Sequence, residues 1–294
     1  MKVVVTGAAG QLGAELCRLL GPQAIAVDID TLDLTNGPAV LEALPRLRPE
    51  AVIHCAAYTA VDLAESEPEK CRAANVTAVL FLVQVCHRLD CPLVQISTDY
   101  VFGGASPGQR PWREDDPPAP RGVYAISKLL GEQAAAVHEK HLIVRTCGLY
   151  ARPAHQQARN FVKTILRLAE TKPKLCVVAD QHCTPTYVPH VARAIAFLLG
   201  GNGAPAAPWG IYHVTNRGET TWFDFAVEIL RLARRSVPIE AITTADYPSP
   251  APRPAYSVLD TTAYYRLGGP PMPDWKAALA EYFAEYSPSP SGRG

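Results

Sequence analysis

Tyr124 and Lys128 stand four residues apart in PRGVYAISKLLGEQ, and Ser97, Thr98, Asp99 and Tyr100 follow one another at the end of an apolar run. Residues at i and i+4 share a helical face, so this spacing sets a phenol beside an ammonium. A neighbouring cation favours phenolate and draws the ordinary tyrosine pKa of about 10 toward working pH. Tyr124 is then a proton donor for a ketone oxygen that receives hydride. Lys128 tunes that phenol and holds the carrier's ribose. The Thr98 hydroxyl, or Ser97 beside it, bonds the substrate oxygen, with Asp99 and Tyr100 next along the substrate. Asn75 lies in an otherwise apolar helical stretch. It either holds a water that relays protons to Lys128 or is a locally satisfied helix asparagine.

Hydride chemistry needs a carrier, and the chain opens with MKVVVTGAAGQLG. Gly7, Gly10 and Gly13 form G-x-x-G-x-x-G between a strand pattern and a helix pattern, with Gln11 and Leu12 in the same turn. Glycines there permit a tight turn and a close approach to a pyrophosphate, and the helix N-terminus beyond offers N–H donors. Asp28 comes about 20 residues on, where a carboxylate binds the adenosine ribose and repels a 2′-phosphate. The next residue is Ile29 rather than arginine, so NADH is expected over NADPH. Asp28 could instead cap a turn, leaving Asp30 or Asp33 nearer the nucleotide, and Asp33 with Leu34 beside the adenine. Ala56, Ala57 and Tyr58, just past the third strand, complete the expected cofactor contacts.

These residues need a scaffold that gathers strand ends. VVVTG (3–7), AIAVDID (24–30), AVIHCAA (51–57), PLVQIST (92–98) and HLIVRTC (141–147) read as strands, and 12–20, 71–88 and 123–139 as helices. Nearly all the strands are apolar throughout rather than alternating, the pattern of a parallel sheet covered on both faces. The expected class is α/β: a doubly wound parallel sheet of Rossmann type with a smaller, interwoven α/β substrate lobe. Helices at 160–170, 189–200 (Pro189 in the first turn) and 222–235, with a strand at 210–216, make up a less regular second half. Residues 1–150 with 187–216 are expected to form the dinucleotide-binding domain and 151–186 with 217–286 the substrate lobe. SPSPSGRG (287–294) has nothing to pack and is expected to be disordered.

Lys+Arg and Asp+Glu each number 28, so the formal net charge is zero, and no basic excess recommends nucleic acid. No apolar run reaches the roughly 18 residues that span a membrane. Lys2 leads straight into a strand without a signal-peptide pattern, so a cytoplasmic location is expected. The eight cysteines form no C-x-x-C and sit mostly in apolar runs such as LVQVC and KLCVV. They read as buried free thiols rather than a zinc site.

At this point the chain resembles the extended short-chain dehydrogenase/reductases, and within them the dTDP-4-dehydrorhamnose reductase family. The resemblance rests on VTGAAGQLG, CAAYTAVDLAESEPE, ISTDYVFGG, YAISKLLGE, the RT at 145–146, NFV, VVADQHCTPT and RPAYS at 253–257. It implies a small-molecule sugar nucleotide as partner, a 4-keto-6-deoxy sugar reduced at C4 by NADH or NADPH. The conversion closest to that description takes dTDP-4-dehydro-L-rhamnose to dTDP-L-rhamnose. It also implies that Thr98, Tyr124 and Lys128 are the catalytic three, and that Asn160 and Arg253 grip the nucleotide diphosphate. The planar fork of Arg253 suits that task. A homodimer is compatible with the resemblance. Some members bind magnesium (Mg2+) at a dimer contact through a glutamate of the first helix. Glu15 has that place, although a solvated helix glutamate is the simpler reading, and no metal ligand is assigned.

Three departures stand out. Where the family commonly carries an aromatic against the sugar, two residues past Thr146, this chain has Gly148 after Cys147. Cys183 replaces a glycine, and His190 stands where the pattern has an acid. The small Gly148 either widens the sugar pocket or leaves it to another side chain. The competing readings are an epimerase or dehydratase of the same architecture, and a non-catalytic nucleotide-binding subunit like the regulatory subunit of methionine adenosyltransferase. The intact Thr98, Tyr124 and Lys128 set argues against the last.

Overall fold

A computed structural model of the chain describes residues 1–104, 110–155, 159–200 and 207–286; the expectation for 287–294 lies outside them. In chain order, β1 (Val3–Thr6), α1 (Gln11–Leu20), β2 (Ala24–Val27), α2 (Gly37–Leu47) and β3 (Ala51–His54) come first. Next, α3 (Val61–Ala64) and α4 (Pro68–Arg72) lead through a π turn (Ala73–Thr77) into α5 (Ala78–Leu89). β4 (Leu93–Thr98), α6 (Gly122–Ala135) and β5 (His141–Thr146) follow. Then come β6 (Leu149–Tyr150), α7 (Phe161–Thr171), β7 (Leu175–Val178), β8 (His182–Cys183), β9 (Thr186–Tyr187), α8 (Val188–Leu198) and β10 (Gly210–His213). β11 (Thr220–Thr221), α9 (Trp222–Leu232), β12 (Ile239–Ile242), α10 (Thr262–Arg266) and α11 (Trp275–Glu285) complete the described chain.

Six strands form one sheet in the order β10-β5-β4-β3-β1-β2, and every pairing is parallel. The chain starts at β1, steps outward to β2, then returns to β3 on the other side of β1. That reversal opens a crevice above the C-terminal ends of β1 and β3, the place where open α/β sheets bind ligands.

Side-chain alternation explains the uninterrupted apolar runs. Val3, Val5, Ile53, Val94, Leu142 and Val144 face a core closed by residues of α1 and α8. Val4, Val52, Leu93 and Ile143 face the opposite core, closed by α2 and α5. A strand buried on both sides has no polar face to show, and each such side chain contributes roughly 1.5–3 kcal/mol by its burial. A third core gathers Ile165 of α7, Val177 of β7, Phe225 of α9 and Leu279 of α11 around Tyr150 and Tyr187. Among the described residues no helix is long and apolar enough to cross a membrane.

Several boundaries differ from the sequence reading. β2 ends at Val27, which leaves Asp28 in the following loop. α6 stops at Ala135, and the chain turns there as the His138 ring bonds the Cys91 carbonyl oxygen at 2.9 Å. The expected helix at 71–88 begins at Pro68 and contains the π turn. Two unexpected helices are fixed by their caps: Asn36 accepts from the Ala39 N–H at 3.3 Å, and Asp274 from the Lys276 N–H at 2.9 Å. Among the cysteines, Cys176 is exposed, because β7 pairs only with β12 and turns alternate residues outward.

One buried ion pair ties the sheet to α6. Arg145 of β5 donates to Glu132 of α6 through Nε (2.9 Å) and Nη2 (2.7 Å), with side chains 2% and 4% exposed. The Ser97 hydroxyl donates to the same carboxylate, and the Arg145 guanidinium lies 5.1 Å from the centre of the Phe102 ring. Breaking such a pair from one side leaves an uncompensated buried charge, which costs about 3–5 kcal/mol. Glu132→Ala should therefore lose about that much stability in urea unfolding, and a loss below 1 kcal/mol would contradict the role given to the pair.

Candidate active site

The glycine turn is held open by backbone packed against backbone. Gly7 has φ 65°, and a Cβ there would lie 2.5 Å from the Ala56 nitrogen. A Cβ on Gly13 would come 2.1 Å from the Gly7 oxygen. Gly7 thus lets β1 and β3 end side by side, and Gly13 lets α1 press onto the turn. Gly10 stands at the cap position of α1, where the N-terminal N–H groups remain available to an anion.

Above this turn lies a cavity of about 910 Å³, running from Asp28, Asp33 and Leu34 past Ala56, Ala57 and Tyr58 to the end of β4 and on to Gly148. Of the residues expected to bind cofactor or substrate, all line it except Gly13, Asn75, Asn160 and Arg253, and Asp30, the alternative to Asp28, is not in the lining either. At the near end the Asp28 carboxylate accepts from the Ala9 N–H (2.7 Å) and the Ile29 N–H (2.8 Å), so it braces the glycine turn while facing the cavity. Hydrogen bonds from the Thr35 N–H and hydroxyl hold the Asp33 carboxyl below its ordinary range.

Asn75 sits in the π turn, 1% exposed. Its Oδ1 accepts from the Tyr58 N–H at 2.8 Å, and its Nδ2 donates to the Tyr58 oxygen at 3.2 Å and to the Ser127 Oγ at 2.9 Å. Its amide is therefore a clamp on the backbone that borders the cavity, with both Nδ2 hydrogens engaged. Gly131 of α6 makes this clamp reachable, since a Cβ there would lie 2.3 Å from the Asn75 carbonyl oxygen. π turns recur at functional sites for such re-aiming of a side chain.

The expected catalytic residues meet at the middle of the cavity. Thr98 ends β4, donates to the Asp99 Oδ1 at 3.0 Å and accepts from the Tyr100 N–H at 3.3 Å. Tyr124 and Lys128 project from the first half of α6 and are both buried. The Lys128 ammonium donates to the Ile96 carbonyl oxygen at 2.6 Å. Burial pulls its pKa from 10.5 down to about 8, against the opposing charge of Glu132. The Tyr124 phenol moves the other way. Burial raises its pKa, while the Thr98 hydroxyl draws it back and the charge of Asp99 raises it further. The phenolate suggested by the i, i+4 spacing is thus overruled by desolvation, and the phenol keeps its proton. Burial also raises the Asp99 carboxyl, against hydrogen bonds from Ser257, Cys147 and Thr98. Ser97 lines the cavity but commits its hydroxyl to Glu132, which leaves Thr98 as the hydroxyl beside Tyr124.

Two expected diphosphate contacts are engaged elsewhere. Asn160 caps α7, accepting from the Lys163 N–H at 3.0 Å, and its Nδ2 donates to the Gln11 Oε1 at 3.0 Å. Gln11 accepts as well from the Ala151 N–H at 3.0 Å, so its amide joins the glycine turn to the second half of the chain. Arg253 forks onto Asp62 at 2.7 and 2.8 Å and lies outside the cavity lining. A magnesium ion at Glu15 does not fit these residues. The Glu15 side chain is 7% exposed, and both its oxygens accept from Arg18 (2.6 and 3.0 Å) and from Arg152 (3.2 and 3.0 Å). Two guanidiniums occupy the carboxylate, so Glu15 is not a solvated helix glutamate. Among the described residues no group of three or more His, Cys, Asp or Glu could hold a metal ion. His190, the other departure, accepts from Asn216 at Nδ1 (2.9 Å) and faces Glu281 through Nε2 (2.9 Å), which joins α8 to α11.

The sequence reading missed His155, Arg159 and Trp222, which also line the cavity. The first two lie in a stretch of sequence with no periodicity to give away their direction. Trp222 opens an amphipathic helix, where an aromatic reads as core.

With this geometry in place, comparison with known proteins is informative. The family model described as the RmlD substrate binding domain matches residues 1–287. A dTDP-4-dehydrorhamnose reductase of Streptomyces griseus is 42% identical over 95% of this chain and 92% of its own length. The spore coat polysaccharide biosynthesis protein SpsK of Bacillus subtilis is 39% identical over 97% and 98%. The solved structure of the Bacillus anthracis dTDP-4-dehydrorhamnose reductase in complex with NADP superposes with a TM-score of 0.89, at 37% identity over 97% of this chain and 100% of that one. Sequence and fold agree over nearly the whole chain, and the chain belongs to the RmlD family of dTDP-4-dehydrorhamnose reductases.

Proposed function

We propose that the chain reduces the C4 ketone of a nucleotide-linked 4-keto-6-deoxy sugar, with dTDP-4-dehydro-L-rhamnose as substrate and dTDP-L-rhamnose as product. The observation that carries this reading is the meeting of Thr98, Tyr124 and Lys128 in the cavity that opens on the Gly7 turn. The Gly7 turn would hold a nicotinamide cofactor, which when bound would supply hydride for C4. Tyr124 gives its proton to the C4 oxygen, a role that suits a phenol kept neutral by burial. Thr98, oriented by Asp99 and the Tyr100 N–H, steers that oxygen onto the phenol. Lys128, fixed by the Ile96 carbonyl, holds the nicotinamide ribose. The division into a dinucleotide-binding part (1–150 with 187–216) and a substrate lobe (151–186 with 217–286) follows from the same reading. Arg253 serves the diphosphate by exchanging its Asp62 partner for phosphate, and Asn160 by releasing the Gln11 amide.

Asp28 sets the cofactor preference. Its carboxylate faces the adenosine end beside Ile29, which favours the ribose hydroxyls of NADH over a 2′-phosphate. The test mixes the protein with NADH or NADPH and a dTDP-4-keto-6-deoxy sugar and follows loss of reduced-nicotinamide absorbance. Turnover should be faster with NADH, and Asp28→Ala should narrow the gap; a strong wild-type preference for NADPH would reject this assignment.

Tyr124→Phe keeps the ring and removes the donor. Its kcat should fall by ~10²–10⁴, with the sugar nucleotide still bound in equilibrium dialysis. Unchanged turnover would dismiss Tyr124 as the acid. Lys128 has a pKa of about 8, so its charge is present below that pH and lost above it. Affinity for the reduced cofactor should therefore weaken as pH rises through about 8, and Lys128→Met should abolish that step in a fluorescence titration.

A further inference from the structure

The far end of the cavity shows what takes the place left by Gly148. Gly148 lies just past β5 with φ 53°, and a Cβ there would come 3.1 Å from the Trp222 Cη2 and 3.2 Å from the Pro185 Cα. Trp222 is the first residue of α9. Its helix start is set by Thr221, whose hydroxyl accepts from the Asp224 N–H at 3.0 Å. The half-buried indole is backed by Phe161 (ring centres 4.7 Å apart) and Phe225 (6.3 Å). Gly148, Cys147 and Trp222 line the cavity together with Thr98 and Tyr124. An aromatic edge from another part of the chain therefore reaches the spot where a side chain on Gly148 would stand, and even a Cβ there would crowd it and would be strained by the positive φ.

We infer that Trp222 is the specificity-determining residue of the sugar end, presenting an apolar wall to the C–H face and methyl group of the 6-deoxy sugar, and that Gly148 is the space this wall needs. This rests on the reading of the cavity as a sugar-nucleotide reductase site. A flat indole held by two aromatic neighbours is rigid, and it offers a large apolar surface at low conformational cost. A pyranose lacking the C6 hydroxyl suits such a wall, since no polar group is buried against it without a partner.

The test is steady-state kinetics of wild type, Trp222→Ala and Trp222→Phe with a dTDP-4-keto-6-deoxy sugar, with dTDP alone as competitive inhibitor. Trp222→Ala should raise KM for the sugar nucleotide roughly 10–200-fold, the scale on which an apolar pocket discriminates. KM for the reduced cofactor and Ki for dTDP, which lacks the sugar, should stay as in wild type. Trp222→Phe should keep most of the affinity. A sugar-nucleotide KM unchanged in Trp222→Ala overturns the inference, and so does a parallel loss of dTDP and cofactor binding, which would mean a general structural role. If Trp222→Ala does not fold, fluorescence of Trp222→Phe decides. The quench caused by the sugar nucleotide but not by dTDP should vanish, and its survival would overturn the inference. Failure of wild type to consume reduced cofactor would strike the functional reading itself and is a separate outcome.

Discussion

The Glu132 carboxylate is the point on which the reactive geometry depends. It sits one turn beyond Lys128 on α6 and takes two hydrogen bonds from Arg145 of β5 and one from Ser97 of β4. Three elements are thereby fixed to one another at the C-terminal edge of the sheet. Ser97 precedes Thr98, and Lys128 shares a helix with Tyr124. The pair is fully desolvated, so it tolerates no partial arrangement: an unpaired charge there is costly, and the paired geometry is the one in which it is not. Glu132 also opposes the loss of the Lys128 proton that burial promotes. A single carboxylate thus orders the hydroxyl, the phenol and the ammonium, although it lies outside the cavity lining.

The parallel sheet, the first helix and the tyrosine–lysine pair were legible because each is written in local rules. Strands buried on both faces have no polar residues to interrupt them, glycines mark the turn where backbones touch, and an i, i+4 pair needs only a helix. Less legible was everything decided by tertiary contact. Asp28 reads as the end of a strand but lies beyond it, bonded to the Ala9 N–H across the turn. Asn75 looks polar and available, yet a π turn and the missing side chain of Gly131 aim it at the Tyr58 backbone. Asn160 and Arg253 carry the right chemistry for a diphosphate, but one is a helix cap and the other is held by Asp62, some 190 positions away in the chain. The helix Gly37–Leu47 is hidden by the glycine and two prolines within it, which lower its apparent propensity although its position against Phe81 requires the small Gly37.

The ionisation of the site illustrates the same division. Spacing alone promises a cation that loosens the tyrosine proton. In the folded chain the dominant influence on both groups is removal from water, which makes the phenol a weaker acid and the ammonium a stronger one. The two shifts carry the groups apart in proton affinity, the phenol upward and the ammonium downward. A donor that holds its proton until a negative oxygen develops nearby suits the direction of ketone reduction better than one ionised in advance. The arginines around Glu15 lie outside the cavity lining and pair with its carboxylate away from this chemistry.

The indole edge over Gly148 belongs to α9, whereas Thr98, Tyr124 and Lys128 stand on β4 and α6. The surface that meets the far end of the ligand is therefore inherited separately from the apparatus that handles the proton. A lineage can exchange residues along that helix, and drift toward a neighbouring sugar, without disturbing the sheet edge that makes reduction work.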